Sequence, residues 1–438
     1  MNRRRFLKST ASAAAGLAVP TIIPSHLWGG SNLTLPSNKI NMGFIGVGGM
    51  GSGHLRTFLG FEDVHVRAIC DVRQEHRDRA KERVDQAYGN TECTTYNDFR
   101  ELLARDDIDA VLIAVPDHWH VLIGQEAARR GKAMYYEKPM AYTVAEAQAI
   151  RATINRYGSI FQFGTQQRSD PRFRFAVELA RNGYLGQLQR VVIGSASFTE
   201  VPPQPEQAVP EGLDYNFWLG PAPWSPYTDL RCTRNWTLIR DYSLGCLSGA
   251  WGIHHVDIAQ WTMDADNSGP ISVEAQGSIP KEGLYDTFQH FESEHVYANG
   301  AKVLHMDHDI TRKRFFQFDV KGSSMGILWE GDEGWVYVAR GYINASSEAL
   351  LRVTIGPNEI KLPISNDHRR NFLDAIRKGV DPICPVGPGV KSEIVCQQAD
   401  IAIRVGQKLE WDNDKEMFIN HPIANSMLSS PMRSPWKV

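Results

Sequence analysis

The most constraining stretch of this 438-residue chain is Gly46-Val47-Gly48-Gly49-Met50-Gly51, a G-x-G-x-x-G string. It follows the apolar run from Lys39 to Ile45 and leads into the helix-like His54-Leu55-Arg56-Thr57-Phe58-Leu59. In that context Gly46 makes a tight turn, Gly48 lets the backbone approach a pyrophosphate, and Gly51 lets helix and strand pack closely. Val47, Gly49 and Met50 are assigned to the cofactor with the glycines, and the helix N-terminus then faces the phosphates with its free N–H groups. A second strand-like run, Val64 to Cys70, ends in Asp71, twenty residues after Gly51, where an acid meets ribose hydroxyls. A carboxylate there repels a 2′-phosphate, so NAD(H) is expected over NADP, although Arg73 lies two residues on. The alternative for Asp71 is a cap on the next helix, Gln74 to Tyr88.

Strand and helix then alternate: Thr94 to Tyr96, Asn97 to Ala104, Ala110 to Val115, His120 to Arg130, Ala133 to Tyr136, Val144 to Tyr157 and Ile160 to Phe163. This predicts an α/β doubly wound parallel sheet, a Rossmann domain over residues 36–166. Ligands to such a sheet lie beyond the carboxyl ends of its strands. The residues placed there are Val115, Pro116, Asp117 and His120, then Glu137 and Lys138, then Gln166, all assigned to the cofactor. Trp119 and Arg168 are assigned to the substrate.

Lys138 follows a strand end at the nicotinamide edge, where a lysine can hydrogen-bond a substrate oxygen. A surface pair with Glu137 is its bland alternative. His118 and His120 form H-x-H, but no third ligand is near in sequence, and no metal is expected. In Trp251-Gly252-Ile253-His254-His255-Val256-Asp257-Ile258-Ala259-Gln260-Trp261, helical spacing puts His254 and Asp257 on one face and His255 about 100° away. His254 is the candidate general acid/base with Asp257 as its carboxylate, and Trp251 and His255 are candidates for substrate contact; Asp257 is equally open to a structural role. No G-x-S-x-G surrounds Ser248, and Asp106, Asp107 and Asp109 read as a turn.

Fifty acidic residues against 47 basic ones leave a formal charge of -3. Without a basic surplus, nucleic acid is not an expected partner. The six cysteines show no C-x-x-C pair, so neither a disulfide scaffold nor a structural zinc site is expected. Residues 1–35 read as an export signal and linker: Arg3-Arg4-Arg5-Phe6-Leu7-Lys8 precedes a short Ala-rich apolar stretch to Ile23. The arginine pair resembles a twin-arginine signal, which implies a periplasmic or exported protein without a permanent membrane anchor.

Together these motifs resemble the Gfo/Idh/MocA oxidoreductases. The glycine string, Pro116 to His120, Glu137-Lys138-Pro139, Gly252 to Asp257, Asn371 to Arg377 and the tail around Trp411 carry the resemblance, which runs from residue 39 to the C-terminus. It implies a C-terminal α/β domain, residues 167–438, whose open, mainly antiparallel sheet covers the active site and serves a homo-oligomer, dimer or tetramer. Runs at Gln189 to Phe198, Ile271 to Gly277, Lys302 to Met306, Phe315 to Val320 and Gly334 to Val338 fit such a sheet. The Pro- and Trp-rich stretch Glu200 to Tyr227 is expected near the cleft. By the same resemblance Lys138 and His254 are the catalytic lysine and histidine, while the aspartate often found four residues before the histidine is Ala250 here. The implied activity is NAD-dependent oxidation of a sugar, glycoside or cyclitol hydroxyl with a tightly bound, recycled cofactor. Two alternatives stand beside it: a redox-neutral, NAD-dependent cleavage of glycosides, and a non-catalytic sugar-binding protein.

Overall fold

The structure, a computed structural model, describes residues 38–318 and 325–438; the export-signal reading of Arg3 to Ile23 lies outside them. The first sheet is built from strands β1 (Ile40–Ile45), β2 (Val64–Cys70), β3 (Thr94–Tyr96), β4 (Ala110–Ile113), β5 (Ala133–Tyr136) and β6 (Phe161–Phe163). Their order is β3-β2-β1-β4-β5-β6 and every pairing is parallel. Strands covered on both faces must be apolar throughout, and β4, Ala-Val-Leu-Ile, is buried at every position.

Helices α1 (Gly49–Phe58), α2 (Gln74–Tyr88), α3 (Phe99–Leu103), α4 (His120–Arg129) and α5 (Val144–Tyr157) make the crossovers. Local chemistry sets their ends. Thr143 accepts the N–H of Glu146 while Glu146 accepts that of Tyr142, and Gly158, at φ +62°, closes α5. The helix expected from Asn97 begins instead at Phe99, because Asp98 accepts the N–H of Arg100 and caps it there. The sheet reverses its winding between β1 and β4, which opens a crevice at the carboxyl ends of those strands.

Helix α6 (Pro171–Arg181), capped by Asp170, leads to β7 (Leu188–Gly194). The chain from Ser195 to Gly252 contains one short helix, α7 (Tyr215–Leu219), and 3-10 turns. It has its own core, in which Tyr215, Trp218, Tyr227 and Tyr242 pack together. Helix α8 (Ile253–Thr262) is followed by β8 (Ser272–Ser278), β9 (Gln289–Val296), β10 (Lys302–Met306), α9 (His308–Phe315), β11 (Ile327–Gly331), β12 (Trp335–Ala339) and β13 (Tyr342–Ala345). Then come α10 (Glu348–Leu351), α11 (His368–Lys378), α12 (Val386–Val405), β14 (Leu409–Asp412), β15 (Met417–Phe418) and α13 (Pro422–Ser426).

The second sheet runs β13-β12-β11-β7-β10-β9-β8-β14-β15, antiparallel except where β7 meets β10. Phe315 to Val320, expected as a strand, is helical through Phe318, with residues 319 and 320 outside those described. The cause is spacing: Phe315 and Phe318, three apart, meet Tyr337 and Trp335 on the sheet below. Helix α11 leaves the second unit and packs Phe372, Leu373 and Ile376 into the core of the first, beside Met42, Phe58 and Tyr135. Its Arg370 and Arg377 both pair with Asp63.

Candidate active site

At the crevice, Gly46 holds φ +82°, and a Cβ there would lie 2.2 Å from the Ala114 carbonyl oxygen. A Cβ on Gly51 would lie 1.9 Å from the Gly46 carbonyl oxygen, whereas one on Gly49 would meet nothing. The loop is therefore tight against the sheet and open on its outer side. Helix α1 has neither a side-chain cap nor an acid in its first turn, so its free N–H groups are left for an anion. Asp71 accepts the N–H of Val47 on Oδ2 (2.9 Å) and that of Arg73 on Oδ1 (2.9 Å), which fixes its carboxylate beside the glycine loop. It does not cap α2, whose N-cap position is Arg73. These features fit a dinucleotide: a cradle with no side chains, a helix N-terminus, and an acid at ribose distance along the fold.

The crevice deepens into a cavity of about 830 Å³. Gly48, Asp71, Val115, Pro116, Glu137 and Lys138 line it from the first sheet. Phe217, Trp218, Trp236 and Ala250 close it from the other side, so the Pro- and Trp-rich stretch does reach the cleft. Trp119 joins the two walls by donating Nε1–H to the Trp218 carbonyl (3.0 Å).

Lys138 sits where these walls meet, and its Nζ donates to the Gly249 carbonyl oxygen at 2.7 Å. Glu137 accepts from His54 Nε2 (2.7 Å) and Gln166 Nε2 (2.8 Å), and Arg369 donates to His54 Nδ1, which fixes the imidazole tautomer. Burial works to raise the Glu137 carboxyl, but the His54 hydrogen bond and the nearby Lys138 hold it below its ordinary value. Asp117 packs against the bare Cα of Gly249: a Cβ there would fall 2.0 Å from its Oδ2 and 2.5 Å from Ser243 Oγ. Burial pushes the Asp117 carboxyl up to about 7, against the pull of Ser243 and Lys138. His254 is 4% exposed, and its buried Nδ1 has no hydrogen-bond partner among the described residues. Burial first, then Lys138 and Arg340, lower its proton affinity far below the usual histidine value, so it is neutral at pH 7.

Several sequence expectations are corrected by this geometry. Asp257 does not face the cleft: it is fully buried and takes a bidentate pair from Arg168 (2.8 and 2.9 Å) plus the Ser392 hydroxyl. Arg168, expected at the substrate, is fully buried and gives two further hydrogen bonds to Asp266. Helix α8 is buried at every position, so sharing a face with His254 does not place a residue in the cleft. His255 lies inside the second unit with Nδ1 against the Gly194 carbonyl. His120 is likewise sealed, its Nδ1 on the Pro139 carbonyl, and His118 points its Nε2 at the Trp218 carbonyl. Gln166 is outside the cavity lining and donates to Glu137 and to the Tyr135 hydroxyl. Trp251 stands next to His254 with ring centroids 6.0 Å apart. Ser243 and Arg340 were not foreseen; both come from irregular segments or a hairpin turn, where no periodic pattern marks a residue.

Two family models match the chain: the oxidoreductase family's NAD-binding Rossmann fold over residues 40–165, and its C-terminal alpha/beta domain over residues 198–438. Among curated relatives, a glycosyl hydrolase family 109 protein of Shewanella baltica is 37% identical over 171 residues, covering 36% of this chain. The alpha-N-acetylgalactosaminidase of Shewanella oneidensis matches to the same extent, and in both cases the match spans 37% of the relative's length. Among solved structures, the aldose-aldose oxidoreductase of Caulobacter crescentus complexed with glycerol shares the fold with TM-score 0.62 and 19% identity, covering 85% of this chain and 99% of its own. GenD2 from gentamicin A biosynthesis, in complex with NAD, gives 0.61 at 17% identity, covering 88% and 99%. With both halves matched in order, around a cleft built as such domains build it, the chain belongs to the Gfo/Idh/MocA oxidoreductase family.

Proposed function

We propose that this protein is an NAD-dependent oxidoreductase acting on a hydroxyl of a sugar, glycoside or cyclitol, with a tightly held and recycled cofactor. The observation that carries the reading is Lys138, whose Nζ is held at 2.7 Å from the Gly249 carbonyl where the glycine-lined cavity meets the second unit. NAD(H), when bound, supplies hydride acceptance and return. The chain supplies position and proton handling. Gly46, Gly48 and Gly51 with the α1 N-terminus hold the pyrophosphate, and Asp71 takes the ribose hydroxyls and disfavours a 2′-phosphate. Lys138 donates to the substrate oxygen, and neutral His254 accepts its proton through the histidine's own lone pair. Asp117, whose buried carboxyl is raised to about 7, carries only part of its charge at neutral pH and competes less with that oxygen for Lys138.

A second reading is a redox-neutral cleavage of glycosides, in which oxidation assists loss of the aglycone and is then reversed. The relatives named as glycosyl hydrolases favour it, as does Ala250 on the cavity wall, which puts no carboxylate beside the substrate there. One experiment separates the two. The nucleotide released from denatured protein is identified, and intact protein is incubated with a panel of glycosides, with and without a second, carbonyl-bearing sugar to take the hydride back from the cofactor. Keto-sugar release supports net oxidation; stoichiometric aglycone and unoxidised sugar support cleavage. NADP as the main nucleotide, or no turnover on any member, refutes the proposal. Export through the twin-arginine motif and assembly into a dimer or tetramer remain part of the proposal, checked by fractionation and by gel filtration.

A further inference from the structure

Lys138 lines the cavity. Arg340 stands outside that lining, exposed at the turn between β12 and β13 just before Gly341 at φ +81°, and within electrostatic reach of Glu137 and Asp170. Arg340 lies with its guanidinium carbon 4.6 Å over the Trp251 ring. The same ring also meets the rings of His254 and His255, so Arg340 lies near the start of α8 and the candidate base. Its charge is one of the causes that lower the proton affinity of both histidines.

No hydrogen bond or ion pair engages Arg340 among the described residues, although it has five N–H donors. The carboxylates in its field are already committed. Glu137 is held by His54 and Gln166, and Asp170 caps α6 by accepting the Arg172 N–H at 2.8 Å. Asp117 gives up much of its charge to burial. Beneath the arginine, His254 Nδ1 and Trp251 Nε1 are buried polar atoms without a partner among the described residues. With its carbon over the indole ring, the guanidinium keeps N–H donors free to bind a planar oxyanion through two parallel hydrogen bonds.

We propose that Arg340 is the recognition element for an anionic group on the carbohydrate, so that the substrate is an acidic saccharide bearing a carboxylate or a sulfate ester. The inference rests on the reading of the cleft as a carbohydrate site and names the substrate class for it. Lys138 and His254 then address the hydroxyl that reacts, while Arg340 fixes the register of the ring by holding its charged substituent.

The test measures equilibrium binding to the full, nucleotide-loaded protein by titration calorimetry. The probes are matched sets in the gluco, galacto and manno series: each methyl glycoside, its 6-carboxylate and its 6-sulfate. The acidic members of at least one series are expected to bind about tenfold to a hundredfold tighter than the neutral one, and the two acids tell carboxylate from sulfate. Arg340→Gln is expected to bring that ratio close to one, and Arg340→Lys to leave part of it, with nucleotide content unchanged in both. Equal binding of acidic and neutral members overturns the inference and leaves the proposed function standing. A preference that survives Arg340→Gln overturns the assignment to this residue. Absence of binding by every member overturns this inference and the carbohydrate reading together.

Discussion

Replacing Asp257 by asparagine removes one charge from a place where no water can replace it. The Arg168 and Asp257 side chains are 1% and 0% exposed, and their contact is bidentate at 2.8 and 2.9 Å. An uncompensated buried partner typically costs about 3–5 kcal/mol. Asp266 moderates this, because it stays on the same guanidinium at 2.7 and 3.1 Å and is itself 33% exposed. The expected loss for Asp257→Asn is therefore about 3 kcal/mol, near the low end of that range. Urea unfolding followed by tryptophan fluorescence reads it as a lower midpoint, with Trp261 near Arg168 as one of the reporters. The double variant Arg168→Met with Asp257→Leu removes both charges and is expected to regain most of the loss. An unchanged midpoint together with lost turnover would refute the structural assignment and return Asp257 to the chemistry.

Gly51→Ala places a methyl 1.9 Å from a backbone carbonyl oxygen that cannot swing aside, so the variant is expected to lose copurifying nucleotide and about 1–3 kcal/mol of stability; nucleotide released on denaturation measures the first effect. Lys138→Ala and His254→Ala are each expected to lower turnover by about 10²–10⁴-fold while keeping nucleotide, and near-normal rates in either remove that residue from the mechanism. Asp117 carries a carboxyl raised from 3.8 to about 7 in the folded state. Its contribution to stability is complete below 3.8 and is lost as pH rises through about 7. Denaturation midpoints of Asp117→Asn should lack the wild-type decline across that window, and parallel profiles would contradict the assignment.

The first sheet was legible because parallel strands buried on both faces are unbroken apolar runs, and because only glycine can occupy Gly46 and Gly51. The second sheet was less so. Strand β9 turns Gln289, Phe291, Ser293 and His295 inward, so its alternation is real but is not an alternation of hydrophobicity. Lys138 was readable from its seat after a strand end. Asp257 was misplaced because helical spacing gives a face, not what covers it; the partner that decides its role, Arg168, lies 89 residues away. Ser243 meets Asp117, and Arg340 meets Trp251, through tertiary packing alone, and nothing in their neighbourhood in sequence announces it.

Helix α11 has a consequence for the order in which the molecule can be made. Its Phe372, Leu373 and Ile376 complete a core otherwise formed by the earliest strands, and its Arg370 and Arg377 latch onto Asp63. Synthesis proceeds from the N-terminus, so the ribosome has delivered the first sheet entirely, and most of the second, before this helix emerges. The nucleotide half must wait, unfinished, with apolar surface between β1 and β5 uncovered. A chain stopped at residue 166 ends in that waiting state. Grafting this half onto another protein succeeds only if the donor helix travels with it.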